Sequence, residues 1–246
     1  MQVKMTILGI DSATQICSAA IVRNGRIVSE RSETAPQRHA ELLLPFVEEV
    51  MNDAQLNPHD LSIVAVSIGP GSFTGLRIGL SVAKGIAAGT GIPIVPVPTM
   101  DAAAHHALQT DDMPANVTVI LPARKSEYYY GQYTRGGAKA ELMSGIAVYT
   151  TDELISMFTD NLPDTVAGEG IERFMNEINE SPGISRHLME KITYSMDRKL
   201  HMITAAITGM ISVHYDAADS AELEPLYIKQ FESGSPKHKQ QPPRPE

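Results

Sequence analysis

The sequence predicts an α/β protein, and three observations carry that prediction. The 246-residue chain is 43% hydrophobic, yet it has no tryptophan and only 5% aromatic residues. Its core is therefore aliphatic, which fits strands covered by helices better than an all-β sandwich. Strand and helix patterns alternate over the first 98 residues as β-β-β-α-β-α-β, and the second half repeats the alternation more loosely.

"KMTILGIDSATQICSAAIVRNGRIVSERSE" reads as three strands joined by short turns. Asn24–Gly25 marks the second turn, because both residues tolerate the positive φ that a tight hairpin needs. "RHAELLLPFVEEVMNDAQL" reads as a helix, with Leu43, Val47, Val50 and Ala54 as one stripe and Leu42, Phe46 and Met51 widening it. Pro45 lies inside that run, where it removes a backbone donor. "LSIVAVSIGPG" is an apolar strand, "TGLRIGLSVAKGIAAGTG" a second helix and "IPIVPVPT" a further short strand. In the second half, "NVTVILPARKSEYYYGQYTR" predicts a hairpin, and "AVYT" and "TVAGEG" predict short strands. Thr150 with Glu153 forms a possible capping box for the helix in "TTDELISMFTD". "GIERFMNEINE" and "RKLHMITAAITGMISVHY" read as helical, and "LEPLYIKQ" as the last ordered element. The polar, Pro-rich tail "ESGSPKHKQQPPRPE" is expected to be disordered. The resulting division is residues 1–100, residues 101–232 and a tail of 233–246.

Composition excludes several classes. Net charge is −9, and it is unevenly spread: residues 1–100 carry 7 Lys+Arg and 8 Asp+Glu, the rest 13 and 21. Such a chain is a poor stand-alone binder of nucleic acid, since phosphate neutralisation supplies most of that affinity. Cys17 is the only cysteine, which excludes an internal disulfide and a cysteine metal cluster. It reads as a buried strand residue. The N-terminal residues lack the pattern of a signal peptide, and no apolar run is suited to spanning a bilayer. The expectation is a soluble, cytoplasmic protein.

The stretch "SIGPGSFTGLRIGLSVAKGIAAG", Ser67 to Gly89, holds six glycines. It is neither of the common phosphate loops. A Walker A loop needs Lys-Ser where Leu76–Arg77 stands, and Gly69, Gly71 and Gly75 are spaced one residue too widely for a dinucleotide fingerprint. Gly75, Gly79, Ala83 and Ala87 recur every four residues as a stripe of small side chains, with Leu76, Ile78, Leu80, Val82 and Ile86 covering most of the remaining surface. Glycine costs about 1 kcal/mol relative to alanine inside a helix, so two of them need a reason. Two readings stay open: close approach of a partner subunit, or burial wholly within the helix's own domain. On the first reading the interface comprises Leu42, Pro45, Phe46, Phe73, Gly75, Leu76, Gly79, Leu80 and Ala83.

"ILGIDSAT", "RHAELLLP", "SIGPGSFTGLRIGLSVAKGIA", "IPIVPVPTMDAAA" and "PLYIKQ" resemble the TsaB (YeaZ-like) family, from about Ile7 to Gln230. The resemblance implies the actin/sugar-kinase/Hsp70-like fold, built from two ribonuclease H-like halves, the second degenerate. It also implies a TsaD-like catalytic partner and a TsaE-like ATPase. Together they attach a threonylcarbamoyl group to the adenosine next to the anticodon of certain tRNAs, so this chain meets tRNA only through the complex. A homodimer through the same surface is a further expectation.

Relatives of the TsaD kind carry an H-x-x-x-H metal site where this sequence has Thr99 and Ala103, side chains unable to build it; His105 and His106 lie just beyond, and adjacent helical residues do not share a face. No metal is expected. Asp11, Ser12 and Thr14 occupy the turn where the superfamily grips phosphate, without the glycines of active relatives. Their simpler role is hydrogen bonding within their own turn. A "D-x-R-x-x-E-x-Y" pattern of the family reads here as Pro122, Arg124, Glu127 and Tyr128, with proline in place of the acid. No catalytic set emerges. The expectation is a non-catalytic scaffold that binds no cofactor alone, with ATP or ADP reserved for the assembled complex. The alternatives are an ATP-dependent kinase or a glycoprotease-like enzyme of the same superfamily.

Overall fold

The computed structural model describes residues 5–109, 115–180, 188, 192 and 201–228. The first half forms a sheet of β1 (Thr6–Asp11), β2 (Ile16–Arg23), β3 (Arg26–Thr34), β4 (Ile63–Gly69) and β5 (Ile94–Pro98), ordered β3-β2-β1-β4-β5. β1, β2 and β3 pair antiparallel, while β4 joins β1 and β5 joins β4 in parallel. The β2–β3 turn is made by Asn24 and Gly25, both at positive φ. β1 alternates sides along its length. Leu8 and Ile10 meet α1 (His39–Asp53) and α2 (Phe73–Thr90) on one face, and Ile7 lies in the cluster on the other.

That second face is shared. α3 (Thr99–Leu108) and α6 (Ala205–Ile211) fill it, together with Val117, Val119 and Leu121 from β6 (Asn116–Pro122) of a second sheet. The second sheet runs β10-β6-β7-β8, with β9 also on β7, where β7 is Glu127–Thr134, β8 Glu141–Leu142, β9 Ala147–Thr150 and β10 Val166–Ala167. Its outer face is covered by α4 (Thr151–Asp160) and α5 (Gly170–Glu180). The layers are therefore helix, sheet, helix, sheet, helix. The Thr150–Glu153 capping box forms as the sequence predicts.

Two expectations change. The helix read across residues 198–215 is helical over 205–211, extended by a 3-10 turn at Ser212–His214, while residues 202–204 are not helical. The boundary at residue 100 also fails to describe the C-terminal segment. α6 packs on β1, β2 and β4, Ala218 bridges Ile94, and Leu226 donates its N–H to the Ile68 carbonyl. The chain returns to the first sheet because Gly9 leaves a notch into which the Ala205 backbone drops. The tail of 233–246 lies outside the described residues.

Candidate functional site

A cleft of about 800 Å³ opens between the two halves. Its walls are the β1–β2 turn (Ala13–Gln15), the start of α1 at His39, the first turn of α2 (Ser72–Gly75), the β6–β7 corner (Leu121–Arg124) and Glu169. α2 starts cleanly because the Ser72 hydroxyl accepts from the Gly75 N–H at 3.2 Å, and it ends at Gly91 in the left-handed conformation.

The glycines before and within α2 serve close contact inside the domain. Gly69 sits at φ +112°, a conformation that favours glycine. Gly71 is required by proximity: a Cβ there would strike the Ala13 carbonyl. A Cβ on Gly75 would strike the Ser12 carbonyl, and one on Gly79 would crowd the Ser12 hydroxyl, Ile10 and Val66. The small stripe thus lets α2 sit directly on the β1–β2 turn and the sheet. This corrects the expected interface: Gly75, Leu76, Gly79, Leu80 and Ala83 are buried in the chain's own core, as is Phe46. Of the expected set, Phe73 is 55% exposed, Pro45 is exposed and Leu42 half-buried. The outward side of α2 carries a second small row, Ser81, Gly85 and Gly89, with nothing within 4 Å of a Cβ on either glycine. Leu44 of α1 is 50% exposed.

The turn residues divide. Asp11 is 0% exposed and lies beneath the cleft floor. Its carboxylate accepts from the Ser67 hydroxyl, from Ala13 N–H at 3.0 Å and from Thr208 of α6 at 3.3 Å. Burial pushes its pKa up to about 6, against the lowering effect of those donors. Ser12 donates to the Gly75 carbonyl at 2.9 Å, so its hydroxyl reaches α2 and not its own turn. Only Thr14 faces the cleft, where it donates to Glu169 Oε1 at 2.6 Å. Burial, with the Asp11 charge adding to it, raises Glu169 to about 7.

Thr99 is buried and its hydroxyl accepts from the Gly69 N–H at 3.1 Å; Ala103 is buried in the shared core. Among the described residues, no three His, Cys, Asp or Glu side chains stand together as metal ligands. His105 is made harder to protonate by burial and by the neighbouring His214 and His106. Cys17 is buried against α1, and burial raises its thiol to about 12. Pro122 and Arg124 border the cleft, whereas Tyr128 turns away to donate to Glu177 at 3.0 Å. At the cleft mouth, Phe73 and Tyr227 stack with centroids 5.4 Å apart, and the Arg77 guanidinium lies 3.9 Å over Phe73. Sequence reasoning missed Glu169, Ser67 and Thr208, which are distant in the chain. The "GEG" around Glu169 was the one local signal for it.

Two sheets flanked by helices, with the C-terminal helix returned to the first sheet around a central cleft, define the actin/sugar-kinase/Hsp70-like fold. Two solved structures from Pseudomonas aeruginosa share it. YeaZ superposes with a TM-score of 0.72 at 22% identity, covering 91% of this chain and 100% of that one. A protein described as similar to peptidase YeaZ gives 0.73 at 23%, covering 92% and 100%. Residues 26–207 match the family described as "TsaD: tRNA N6-adenosine threonylcarbamoyltransferase", and the chain belongs to that family. Within it the chain is similar to proteins named tRNA threonylcarbamoyladenosine biosynthesis protein TsaB. The Haemophilus influenzae relative is 31% identical over 137 residues, 56% of this chain and 57% of the relative. The Escherichia coli relative is 35% identical over 131 residues, 53% and 56%. The chain spans about half the length of the curated relatives it matches. No helix among the described residues is long and apolar enough to cross a membrane.

Proposed function

We propose that this chain is a non-catalytic subunit in tRNA threonylcarbamoyladenosine biosynthesis, supporting a TsaD-like enzyme in the cytoplasm. The observation that carries the reading is the burial of Asp11. The one carboxylate positioned for kinase-type chemistry at the turn is sealed by α6 and already accepts three hydrogen bonds. A group that meets no solvent and already accepts three hydrogen bonds is poorly placed to hold a metal–nucleotide complex or activate a hydroxyl.

A supporting role needs a docking face, and the outward side of α1 and α2 fits one. Leu44, Pro45 and Phe73 give it apolar anchors, and the Ser81–Gly85–Gly89 row lets a partner helix approach closely. The TsaD-like subunit is the first occupant of this face and a second copy of this chain the alternative. A TsaE-like ATPase and tRNA join through the assembled complex, which is also where ATP or ADP binds.

The test is co-purification with the TsaD-like partner from the same cell. Gly85→Leu places bulk in open space, so the isolated chain keeps its thermal stability while affinity falls by about 10- to 100-fold, as overpacking of about 1–3 kcal/mol requires. A Gly85→Leu chain that folds and binds at full strength overturns this docking face. ATP turnover by the isolated chain that disappears in a folded Asp11→Ala variant overturns the non-catalytic reading.

A further inference from the structure

Three exposed side chains at the cleft mouth hold one another in place. Phe73 and Arg77 are four residues apart on α2, so they share one face of the helix. The Arg77 guanidinium lies 3.9 Å over the Phe73 ring, and its Nε–H donates to the Tyr227 hydroxyl at 3.1 Å. Tyr227 in turn packs on Phe73, with ring centroids 5.4 Å apart. The returning C-terminal segment sets that position, because the Leu226 N–H is fixed on the Ile68 carbonyl at 2.7 Å. Phe73 is nevertheless 55% exposed, Tyr227 45% and Leu226 36%.

The outer end of Arg77 has no acid. Arg31, Arg38 and Arg173 each pair with a carboxylate, whereas no carboxylate among the described residues pairs with Arg77. Arginine carries five N–H donors in a planar fork, and Tyr227 takes only the one on Nε. Nη1 and Nη2 keep the parallel pair of donors that matches a carboxylate. Stacking on Phe73 and the bond to Tyr227 have already removed much of the rotamer freedom that a loose arginine loses on binding. Aromatic rings around an ordered arginine are among the residue types that dominate protein–protein binding. A nucleic-acid backbone is disfavoured as the occupant, because α1, the other helix of this face, carries Glu41, Glu48, Glu49 and Asp53 and no lysine or arginine.

Resting on the docking face described above, we propose that Phe73, Arg77 and Tyr227 are its anchor, and that the Arg77 fork takes a carboxylate side chain of the TsaD-like subunit. Tyr227 is a positioning residue: it acts through Arg77, and it makes the returning C-terminal segment part of the interface. The contact sets register as well as affinity, since a carboxylate placed elsewhere on the partner leaves the fork unpaired.

The test is the affinity of the full chain for the TsaD-like subunit of the same cell, titrated at about 0.1 M and about 1 M salt. Arg77→Ala is expected to weaken binding by about 10- to 100-fold and to flatten its salt dependence. Arg77→Lys keeps the charge but not the fork, and is expected to lose about tenfold or more. Tyr227→Phe keeps the ring and removes the acceptor for Nε, at a cost of about 3- to 10-fold. In the Arg77→Ala background the same change has no further effect, which separates positioning of Arg77 from a direct contact by Tyr227. All three side chains are exposed, so thermal unfolding of each variant should match wild type; should Arg77→Ala melt early, Arg77→Lys carries the test. Full-strength binding by folded Arg77→Ala, or by folded Arg77→Lys, overturns the proposal. So does binding of the isolated chain to tRNA that Arg77→Ala abolishes while the TsaD-like subunit still binds at full strength. A wild-type chain that does not bind the TsaD-like subunit overturns the docking reading and this anchor together, whereas loss of binding in Gly85→Leu but not in the Arg77 variants overturns the anchor alone.

Discussion

Asp11 carries a charge that the fold makes costly. Its pKa rises from 3.8 to about 6 because burial disfavours the ionised form more than Ser67, Ala13 and Thr208 favour it. The folded state therefore holds the proton more tightly than the unfolded state. Stability from this group is complete below about pH 4 and is lost as pH rises through about 6, by about 3 kcal/mol on linkage. Glu169, raised from 4.5 to about 7, acts in the same direction over a higher window. Asp11→Asn keeps an acceptor for the Ala13 N–H and donates to the Ser67 or Thr208 hydroxyl. The denaturation midpoint of this variant should be higher than that of wild type at pH 7, and its decline between pH 4 and pH 7 shallower. A wild-type slope in Asp11→Asn would place the pH dependence elsewhere.

At the level of the element, α2 has two glycine-bearing faces with opposite physics. Toward the sheet, Gly75 touches the Ser12 backbone, which has no room to yield. Gly75→Ala should lower stability by about 1–3 kcal/mol, the range for forcing a well-packed contact apart. Toward solvent, Gly85 has open space around it, so Gly85→Ala gains helix propensity and should raise stability by about 0.5–1 kcal/mol. Thermal unfolding of the two variants side by side checks both signs. The pair also separates packing within the chain from docking, since only the outward face is available to a partner.

For the whole molecule, the decisive feature is the return of the C-terminal segment. α6 is seven residues long and supplies Ala205, Ile207, Thr208 and Ile211 to buried positions over the first sheet. It also caps Asp11 through Thr208 and fills the notch at Gly9. A chain ending at residue 200 should expose that apolar face and lose cooperative unfolding, although strands β1–β5 and helices α1–α3 remain in its sequence. Gly9→Leu in the full-length chain should act in the same direction, by pushing the Ala205 backbone off β1. A truncated chain that melts cooperatively near the full-length temperature would show that the first half folds without its C-terminal cover.

Local pattern determined much of this protein. The alternation in residues 6–98, the Asn24–Gly25 turn, the Thr150–Glu153 capping box and the β6–β7 hairpin all depend on neighbours within a few residues, and each formed as the sequence predicts. The stripe Gly75–Gly79–Ala83–Ala87 was legible as a surface for close approach, but a period of four names a helix face and not what lies against it. Only tertiary structure turned that face inward, onto Ser12, Ile10 and Val66. The site was even less legible. Asp11 is sealed by residues 56 and 197 positions away, and Thr14 meets Glu169 across 155 residues. No local propensity encodes such pairings. They arise when two separately patterned sheets pack around shared helices and the end of the chain folds back over its beginning.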